Sequence, residues 1–131
     1  MFTKLADLYS KCFPDRHTKW TASDFAELKK SGAEIIASDN AFAVYRCVLD
    51  ECELLLIGVV PEIRRTGTAT ALMTIIEKDI KKQHVNKIFL EVSSINIPGI
   101  ELYKKMGYSV IGKRNKYYED GTDAILMEKT I

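Results

Sequence analysis

The chain of 131 residues is long enough to form one domain with its own hydrophobic core. Hydrophobic residues make up 47% of it and charged residues 28%, which is the composition of an ordinary globular protein. The formal net charge of +1 argues against general nucleic-acid binding, which requires a surplus of Lys and Arg on one face. We therefore expect a single domain over residues 1–131 with no direct nucleic-acid contact.

The cysteines and the apolar runs further limit the class of protein to which this chain can belong. Cys12, Cys47 and Cys52 form no CxxC pair and have no neighbouring His, so neither a disulfide framework nor a zinc site is supported. No apolar run reaches the ~18 residues that span a bilayer, and the N-terminus lacks a signal-peptide core. These features predict a cytoplasmic protein without a metal and without a membrane contact. They leave the oligomeric state open, with a monomer favoured.

Two helices are predicted before the first strand. Apolar residues recur at helical spacing over residues 2–13, and Pro14 stops this helix. Thr21 is the predicted N-cap of the second helix, and Asp24 three residues later completes a loose capping box. This helix ends at Ser31-Gly32.

Three strands with tight connections follow, and they are predicted over residues 33–38, 41–49 and 52–60. Short polar dipeptides separate them, which is typical of hairpins. The third strand contains the run ELLLIGVV and ends before Pro61. Because this run does not alternate, we expect a central strand that is covered on both faces.

The second half of the chain alternates between helices and strands. The predicted elements are a helix reaching about His84, the strand KIFLEV, a helix capped by Asn96 and ended by Gly107, and the strands YSVIGK and DAILMEK. The complete order is ααβββαβαββ. This order predicts an α/β protein with a mixed sheet.

The segment RRTGTAT at residues 64–70 lies between the third strand and a long helix. Such a turn can hold a phosphate, because unpaired N–H groups and the helix dipole converge there. It lacks the Lys-Ser/Thr ending of a P-loop and the second glycine of a Rossmann fingerprint. It fits the pattern R/Q-x-x-G-x-G/A through Arg64, Gly67 and Ala69. Taken alone, so short a motif favours an ordinary strand-to-helix turn.

Further motifs strengthen the interpretation of this turn. The region resembles the GNAT superfamily of N-acetyltransferases, in which the turn holds the pyrophosphate of acetyl-CoA. The chain downstream is similar to the RimI-type N-terminal alanine acetyltransferases, with patterns LEV…N…A…LY…GF, R-x-x-YY and DA-x-x-M. The matching residues are Leu90-Glu91-Val92, Asn96, Leu102-Tyr103, Gly107-Tyr108, Arg114, Tyr117-Tyr118, Asp123-Ala124 and Met127.

The resemblance implies both a fold and a function. The expected fold is α/β (α+β), with a mixed, mostly antiparallel twisted sheet flanked by helices. The expected reaction moves acetyl from acetyl-CoA, used as a co-substrate, to the N-terminal amine of a protein. The implied target is the N-terminal Ala of the eighteenth small-subunit ribosomal protein. An α-amino group has a pKa of about 8, against about 10.4 for Lys, so it is easier to deprotonate near neutrality.

The resemblance also implies the roles of individual residues. Glu91 matches the general base, acting through water, and Tyr103 matches the acid that protonates the departing sulfur. Backbone amides on the third strand match the pantetheine-binding segment, and that of Val59 is placed to stabilise the oxyanion. The predicted cofactor-binding residues are Ile57, Gly58, Val59, Arg65, Thr66, Gly67, Thr68, Ala69, Thr70 and Asn96.

Structural alternatives accompany these roles. Glu91 could be a solvated strand-end carboxylate, Tyr103 a core residue and Asn96 only a helix cap. Tyr117, Tyr118 and Trp20 could line the peptide entrance or simply pack, and neither His17 nor His84 is expected to be a ligand or base. Alternative functions are a GNAT that modifies a Lys side chain or a small-molecule amine, and a non-catalytic CoA-binding module.

Three departures from the family pattern bear on the sheet and the cofactor site. The chain begins at its first helix, so we expect the preceding strand common in the family to be short or missing. Thr66 and Thr68 replace larger or more basic residues, and Ile97-Pro98-Gly99 replaces an Ala-rich helix start. The first departure affects the sheet edge, and the other two affect cofactor affinity.

Overall fold

The computed structural model describes residues 2–16 and 19–131. Within these ranges the chain forms α1 (Phe2–Cys12), α2 (Ala22–Lys30), β1 (Glu34–Ala37), β2 (Ala41–Val48), β3 (Glu51–Val59), a 3₁₀-helix (Pro61–Ile63), α3 (Thr68–Lys82), β4 (Lys87–Ser93), α4 (Ile97–Lys105), β5 (Ser109–Arg114) and β6 (Ala124–Thr130). The predicted order ααβββαβαββ is confirmed, with the 3₁₀-helix as an addition. His17, which we expected to be neither a ligand nor a base, lies outside the described residues.

In the described chain, the strands form one mixed sheet in the order β1-β2-β3-β4-β6-β5. The pair β3–β4 is parallel and the other neighbours are antiparallel. The mixed, mostly antiparallel sheet is therefore confirmed, and β3 has the central position that we predicted. The edge next to the N-terminal helices is β1.

The N-terminus of α2 shows how local sequence fixes an element boundary. The Thr21 hydroxyl accepts a hydrogen bond from the Asp24 amide at 3.2 Å, and the Asp24 carboxylate accepts one from the Thr21 amide at 2.8 Å. Both halves of the predicted capping box are present. The helix gives way to a turn in which Gly32 has a φ of +99°.

Helices α3 and α4 cover one face of the sheet, which we call the α3 face. Its core includes Leu72, Met73, Ile76 and Ile80 of α3, Tyr103 of α4, Ile88, Leu90 and Val92 of β4, and Met127 of β6. Polar contacts reinforce this layer at its border. The Tyr45 hydroxyl donates to Asp79 at 2.6 Å, and the Lys129 ammonium donates to Glu77 at 2.6 Å.

Helices α1 and α2 cover only part of the opposite face, which we call the α1 face. The core there combines residues of α1 and α2 with residues of β1, β2 and β3 and the segment after β3. Among the described residues, none from β4, β5 or β6 belongs to this second core. Half of the α1 face therefore has no helix packed on it.

The incomplete cover corrects one expectation about β3. We predicted that both faces of this strand would be buried, yet Glu51 and Glu53 at its start are exposed on the α1 face. Coverage of the α1 face begins at Leu55, because the α1–α2 layer extends only over the second half of the strand.

The lengths and the hydrophobicity of the helices bear on whether one of them could span a bilayer. In the chain as described, no helix is both long enough and apolar enough to cross a membrane.

Candidate active site

The parallel strands β3 and β4 separate in the middle of the sheet. Their register pairs are Glu51↔Lys87, Cys52↔Ile88 and Glu53↔Phe89. Beyond Glu53 the described register contains no further β3–β4 pair, although β3 continues to Val59 and β4 to Ser93. β3 remains paired to β2 over this stretch. One edge of β3 therefore faces an opening in the sheet, with backbone groups available for a ligand.

A β-bulge lies where the opening begins. Val44 of β2 pairs with Leu56 and Tyr45 with Leu54, so Leu55 is an extra residue in β3. Bulges bend the strand that carries them. Here the bulge explains why three leucines follow one another, because Leu54 packs in the α3-face core while Leu55 and Leu56 both pack in the α1-face core.

Ile57, Gly58 and Val59 follow the bulge and lie along the opening. A Cβ built on Gly58 would lie 2.7 Å from Cε1 of Phe42 and 3.1 Å from Cβ of Cys12. Only glycine permits this approach, so the end of α1 packs directly on the strand. The structure thus places the three predicted residues at the opening and shows a packing reason for Gly58.

The N-terminus of α3 forms the predicted turn. Gly67 is its N-cap with a φ of +87°, and no side chain of the described protein caps this end. Nothing lies within 4 Å of the position where a Gly67 Cβ would be. The first amides of α3, at Thr68, Ala69 and Thr70, precede the first intrahelical bond, which the Ala71 amide donates to Gly67 at 2.9 Å. This glycine turn fits a pyrophosphate group.

The two arginines before this turn have different environments. The Arg64 guanidinium donates to the Val59 carbonyl at 3.1 Å and to the Cys12 carbonyl at 2.6 Å. Its charge is therefore directed at the protein backbone, where it joins the end of α1 to the end of β3. Arg65 is exposed with a φ of 66°. Thr66 links to the helix start through a 2.9 Å hydrogen bond between its hydroxyl and that of Thr68.

Glu91 lies on the α1 face of β4, because its neighbours Leu90 and Val92 are in the α3-face core and strand residues alternate. Its side chain is 24% exposed, and its Oε1 lies 3.3 Å from Nη2 of Arg114. Glu91 also lines a cavity of about 370 Å³ on the uncovered part of that face. A carboxylate with this access can reach a substrate or a water molecule.

Tyr103 of α4 lies in the core of the α3 face, which also contains Leu90 and Val92 of β4. Only 6% of Tyr103 is exposed, and its ring meets that of Tyr108 edge to face at 5.8 Å. Burial raises the pKa of Tyr103 to about 12, with a smaller contribution from Tyr118. The hydroxyl is therefore protonated at neutral pH and can donate a proton.

Tyr118 is electrostatically coupled to both of these residues. Burial is the largest cause that raises the pKa of Tyr118, and the negative charge of Glu91 is the second. Tyr118 in turn contributes to the raised pKa of Tyr103. The Tyr118 phenol is therefore within electrostatic range of both predicted catalytic groups, and its packing and peptide-entrance alternatives both stay open.

Three further residues singled out in the sequence, Asn96, Trp20 and Tyr117, have different environments. Asn96 caps α4, and its side chain accepts a hydrogen bond from the Gly99 amide at 3.1 Å. Trp20 stacks on Tyr9 at 5.8 Å, which favours the packing alternative for this residue. Tyr117 is 52% exposed beneath the Arg114 guanidinium, which lies 5.3 Å from the ring centroid.

Sequence reasoning gave Arg114 no role of its own. Its contact with Glu91 depends on β5 and β4 lying on either side of β6, which brings residues from distant parts of the chain together. The only signal in the sequence was the R-x-x-YY pattern, which names the residue but not its partner.

The cysteines are unsuited to act as nucleophiles. Burial raises the pKa of the Cys12 thiol to about 11 and raises the pKa values of Cys47 and Cys52. All three are therefore protonated near neutral pH. In the part of the chain that is described, no group of three His, Cys, Asp or Glu side chains is arranged to hold a metal ion.

Comparison with known proteins identifies the family. Residues 2–108 match the model of the Acetyltransferase (GNAT) family, and the chain belongs to that family. It is 38% identical over 90 residues to the [ribosomal protein bS18]-alanine N-acetyltransferase of Escherichia coli K12, covering 66% of this chain and 61% of that protein. It is 40% identical over 72 residues to an N-alpha-acetyltransferase of Sulfurisphaera tokodaii, covering 54% of this chain and 43% of that protein.

Solved structures agree with this assignment. The ribosomal-protein-S18-alanine N-acetyltransferase from Escherichia coli superposes with a TM-score of 0.86 at 28% identity, covering 99% of this chain and 87% of that chain. Ard1 from Thermoplasma volcanium superposes with a TM-score of 0.85 at 22% identity, covering 100% of this chain and 93% of that chain. The second likeness concerns the fold alone. The expected GNAT fold is confirmed.

Proposed function

We propose that this chain is an N-acetyltransferase that moves acetyl from acetyl-CoA to the N-terminal amine of a protein. One observation carries the proposal: Glu91 lies on the open α1 face of β4, Tyr103 belongs to the core on the α3 face of the same strand, and β4 separates from β3 after Phe89. A carboxylate on one side and a protonated phenol on the other side suit a reaction that removes a proton from an amine and returns one to a sulfur.

The substrate class rests on the relatives. Two of the similar proteins are named for acetylating alanine of ribosomal protein bS18 or for N-alpha-acetylation. The N-terminal Ala of a small-subunit ribosomal protein is therefore the acceptor that we propose. The exposed side of Glu91 supports an acceptor entering from the α1 face, where no helix covers β4.

The residues present suit acetyl-CoA, which when bound supplies a thioester-activated acetyl group. In our proposal the amides of Thr68, Ala69 and Thr70 hold its pyrophosphate at the N-terminus of α3, with Arg65, Thr66 and Gly67 completing the turn. Ile57, Gly58 and Val59 align the pantetheine along the free edge of β3. Asn96 contacts the same ligand while capping α4.

The chain's own groups then move the protons. Glu91 takes a proton from the acceptor ammonium through a water molecule, and the Val59 amide donates to the carbonyl oxygen as negative charge develops there. Tyr103 donates its proton to the departing sulfur. The raised pKa values of the thiols of Cys12, Cys47 and Cys52 support direct attack by the amine without a covalent enzyme intermediate.

The test is acetyl transfer to two short peptides, one with a free N-terminal Ala and one blocked at its N-terminus with an internal Lys. Product mass after fragmentation locates the acetyl group. Acetylation at the free Ala alone is the expected result. Acetylation at Lys would assign the chain to another branch of the family, and acetyl-CoA binding without any transfer would favour a binding module.

A further inference from the structure

The cavity beside Glu91 continues as a groove along the sheet, away from the opening between the strands. Its lining includes the apolar residues Val48, Leu49, Phe89, Ile111 and Leu126, the acidic residues Glu51, Glu53 and Glu91, and the basic residues Arg46 and Arg114. We call this surface the acidic groove. Ile111 is 48% exposed and Leu49 is 93% exposed, so apolar surface is open to a ligand there.

Some charged side chains in and around the groove form ion pairs, and others do not. Arg114 in the groove forms an ion pair with Glu91 at 3.3 Å, and Lys87, which is not among the lining residues, forms one with Glu128 at 3.7 Å. Arg46 stands opposite Glu53 across the β2–β3 ladder, and its guanidinium donates to the Ser31 hydroxyl at 3.4 Å. Throughout residues 2–16 and 19–131, neither Glu51 nor Glu53 has a cation within 4.0 Å. Two carboxylates in the groove are thus available for a positive ligand.

The strand register gives the distance of these carboxylates from the active site. Glu53 pairs with Phe89, which precedes Glu91 by two residues on β4. Two residues of strand correspond to about 6.6 Å, and an extended peptide also advances by about 3.3 Å per residue. A polypeptide whose first residue lies at Glu91 therefore brings its third or fourth residue to Glu53.

We infer that the acidic groove binds the acceptor polypeptide beyond its N-terminus and prefers a basic side chain at the third or fourth residue. This inference rests on the proposed function, because it takes the N-terminal amine to lie near Glu91. The apolar lining contacts the peptide chain, and Glu53 supplies the charge selection. Glu51, which precedes Glu53 by two residues on β3 and lines the same groove, extends the same preference toward later residues.

The experiment uses three peptides that share a free N-terminal Ala and differ only at residues three and four, which are both Arg, both Gln or both Glu. Arg is used because it adds no acceptor amine. With the unmodified protein, we expect kcat/KM for the Arg peptide to exceed that for the Glu peptide by about fivefold, mainly through KM, as suits partly exposed ion pairs. The ratio should fall at high salt, because exposed charges are screened.

Two variants and one control assign the preference to its residue. Glu53→Lys should abolish or reverse the ratio, while Glu53→Gln should bring it near one without adding a positive charge opposite Arg46. Glu27→Lys changes the net charge by the same amount on exposed α2, outside the groove, and should leave the ratio unchanged. Thermal unfolding of each variant checks that the fold is retained.

Two outcomes would overturn the inference: a ratio within twofold in the unmodified protein, or a ratio that survives both Glu53 substitutions. N-terminal acetylation of the Gln peptide would still uphold the proposed function in either case. If none of the peptides reacts, the proposed function fails, and fluorescence anisotropy of C-terminally labelled peptides decides the inference separately. Equal dissociation constants for the Arg and Glu peptides would then reject it.

Discussion

On one face of β4, Ile88, Leu90 and Val92 are buried beneath α3 and α4, while on the other face Phe89 and Glu91 stay partly exposed beside a cavity. The same seven-residue strand therefore has one buried face and one partly exposed face. The difference arises because, on the α1 face, α1 and α2 pack on β1 to β3 and no described residue of β4 to β6 joins their core. In the proposed reaction the acceptor amine arrives from the open face and meets the thioester at the opening between β3 and β4.

The first test of this comparison removes the carboxylate on the open face. Glu91→Gln keeps the size of the side chain but cannot accept the proton, so kcat/KM for the free-Ala peptide should fall by about 10²–10³-fold. Steady-state kinetics measures the loss. Glu128→Gln, on the α1 face of β6, provides the control and should stay within about twofold of the unmodified protein, as expected for a surface charge. If kcat/KM fell equally in the two variants, the loss would come from removing a negative charge from this face and not from removing a general base.

The second test removes the phenol on the buried face. Tyr103→Phe should lower kcat by about 10–10²-fold, while the acetyl-CoA dissociation constant stays the same. Because its pKa is raised to about 12, Tyr103 remains protonated at pH 7–10 and should add no alkaline limb to the rate profile.

Tyr108→Phe is the matched control for this residue, since the two rings touch. Tyr108 donates to Glu77 at 3.1 Å, so its loss should lower the free energy of unfolding by about 1–2 kcal/mol and leave kcat unchanged. A Tyr103→Phe enzyme with normal turnover would remove Tyr103 from the role of acid.

A third test concerns how closely α1 approaches the opening. Gly58→Ala places a Cβ 2.7 Å from Phe42, which should reduce the free energy of unfolding by about 1–3 kcal/mol. Gly112→Ala in β5 is the control, because the nearest atom to its Cβ is 4.0 Å away. Urea unfolding monitored by circular dichroism compares them. Equal stabilities would mean that α1 shifts freely and that its contact with β3 is unimportant.

The smallest expected effect separates the two roles of Asn96. Asn96→Ala should cost about 1 kcal/mol of stability through the lost cap, measured by thermal unfolding. Asn96→Asp preserves capping but adds a negative charge, so it should retain stability and weaken acetyl-CoA binding if the side chain meets the anionic ligand. Unchanged binding in Asn96→Asp would leave Asn96 as a cap alone.

The elements of this fold could be predicted because their signals are local. The period of the apolar residues, the Thr21–Asp24 capping box, and the stops at Gly32 and Pro61 act within a few residues of each boundary. The positions of Glu91 and Tyr103 on opposite faces also follow from local alternation and helical spacing once α4 is known to pack on the α3 face.

The features that the sequence did not disclose depend on pairing between distant segments. The register that ends at Glu53↔Phe89, the Arg114–Glu91 contact and the uncovered α1 face all require the complete sheet order. The exposure of Glu53 was missed for the same reason. A continuous apolar run indicates burial, but it cannot say where the covering helices stop.

The extra residue at Leu55 gives β3 a bulge without changing which face its later side chains occupy. Deleting Leu55 would leave Leu54 and Leu56 on opposite faces, as in a regular strand, so the bulge would be lost while Gly58 still faced Phe42 and the end of α1. Deleting Ile57 instead would bring Val59 opposite Phe42, where at present only Gly58 fits. The number of residues between the bulge and Gly58 is therefore an inherited constraint on any redesign of the protein.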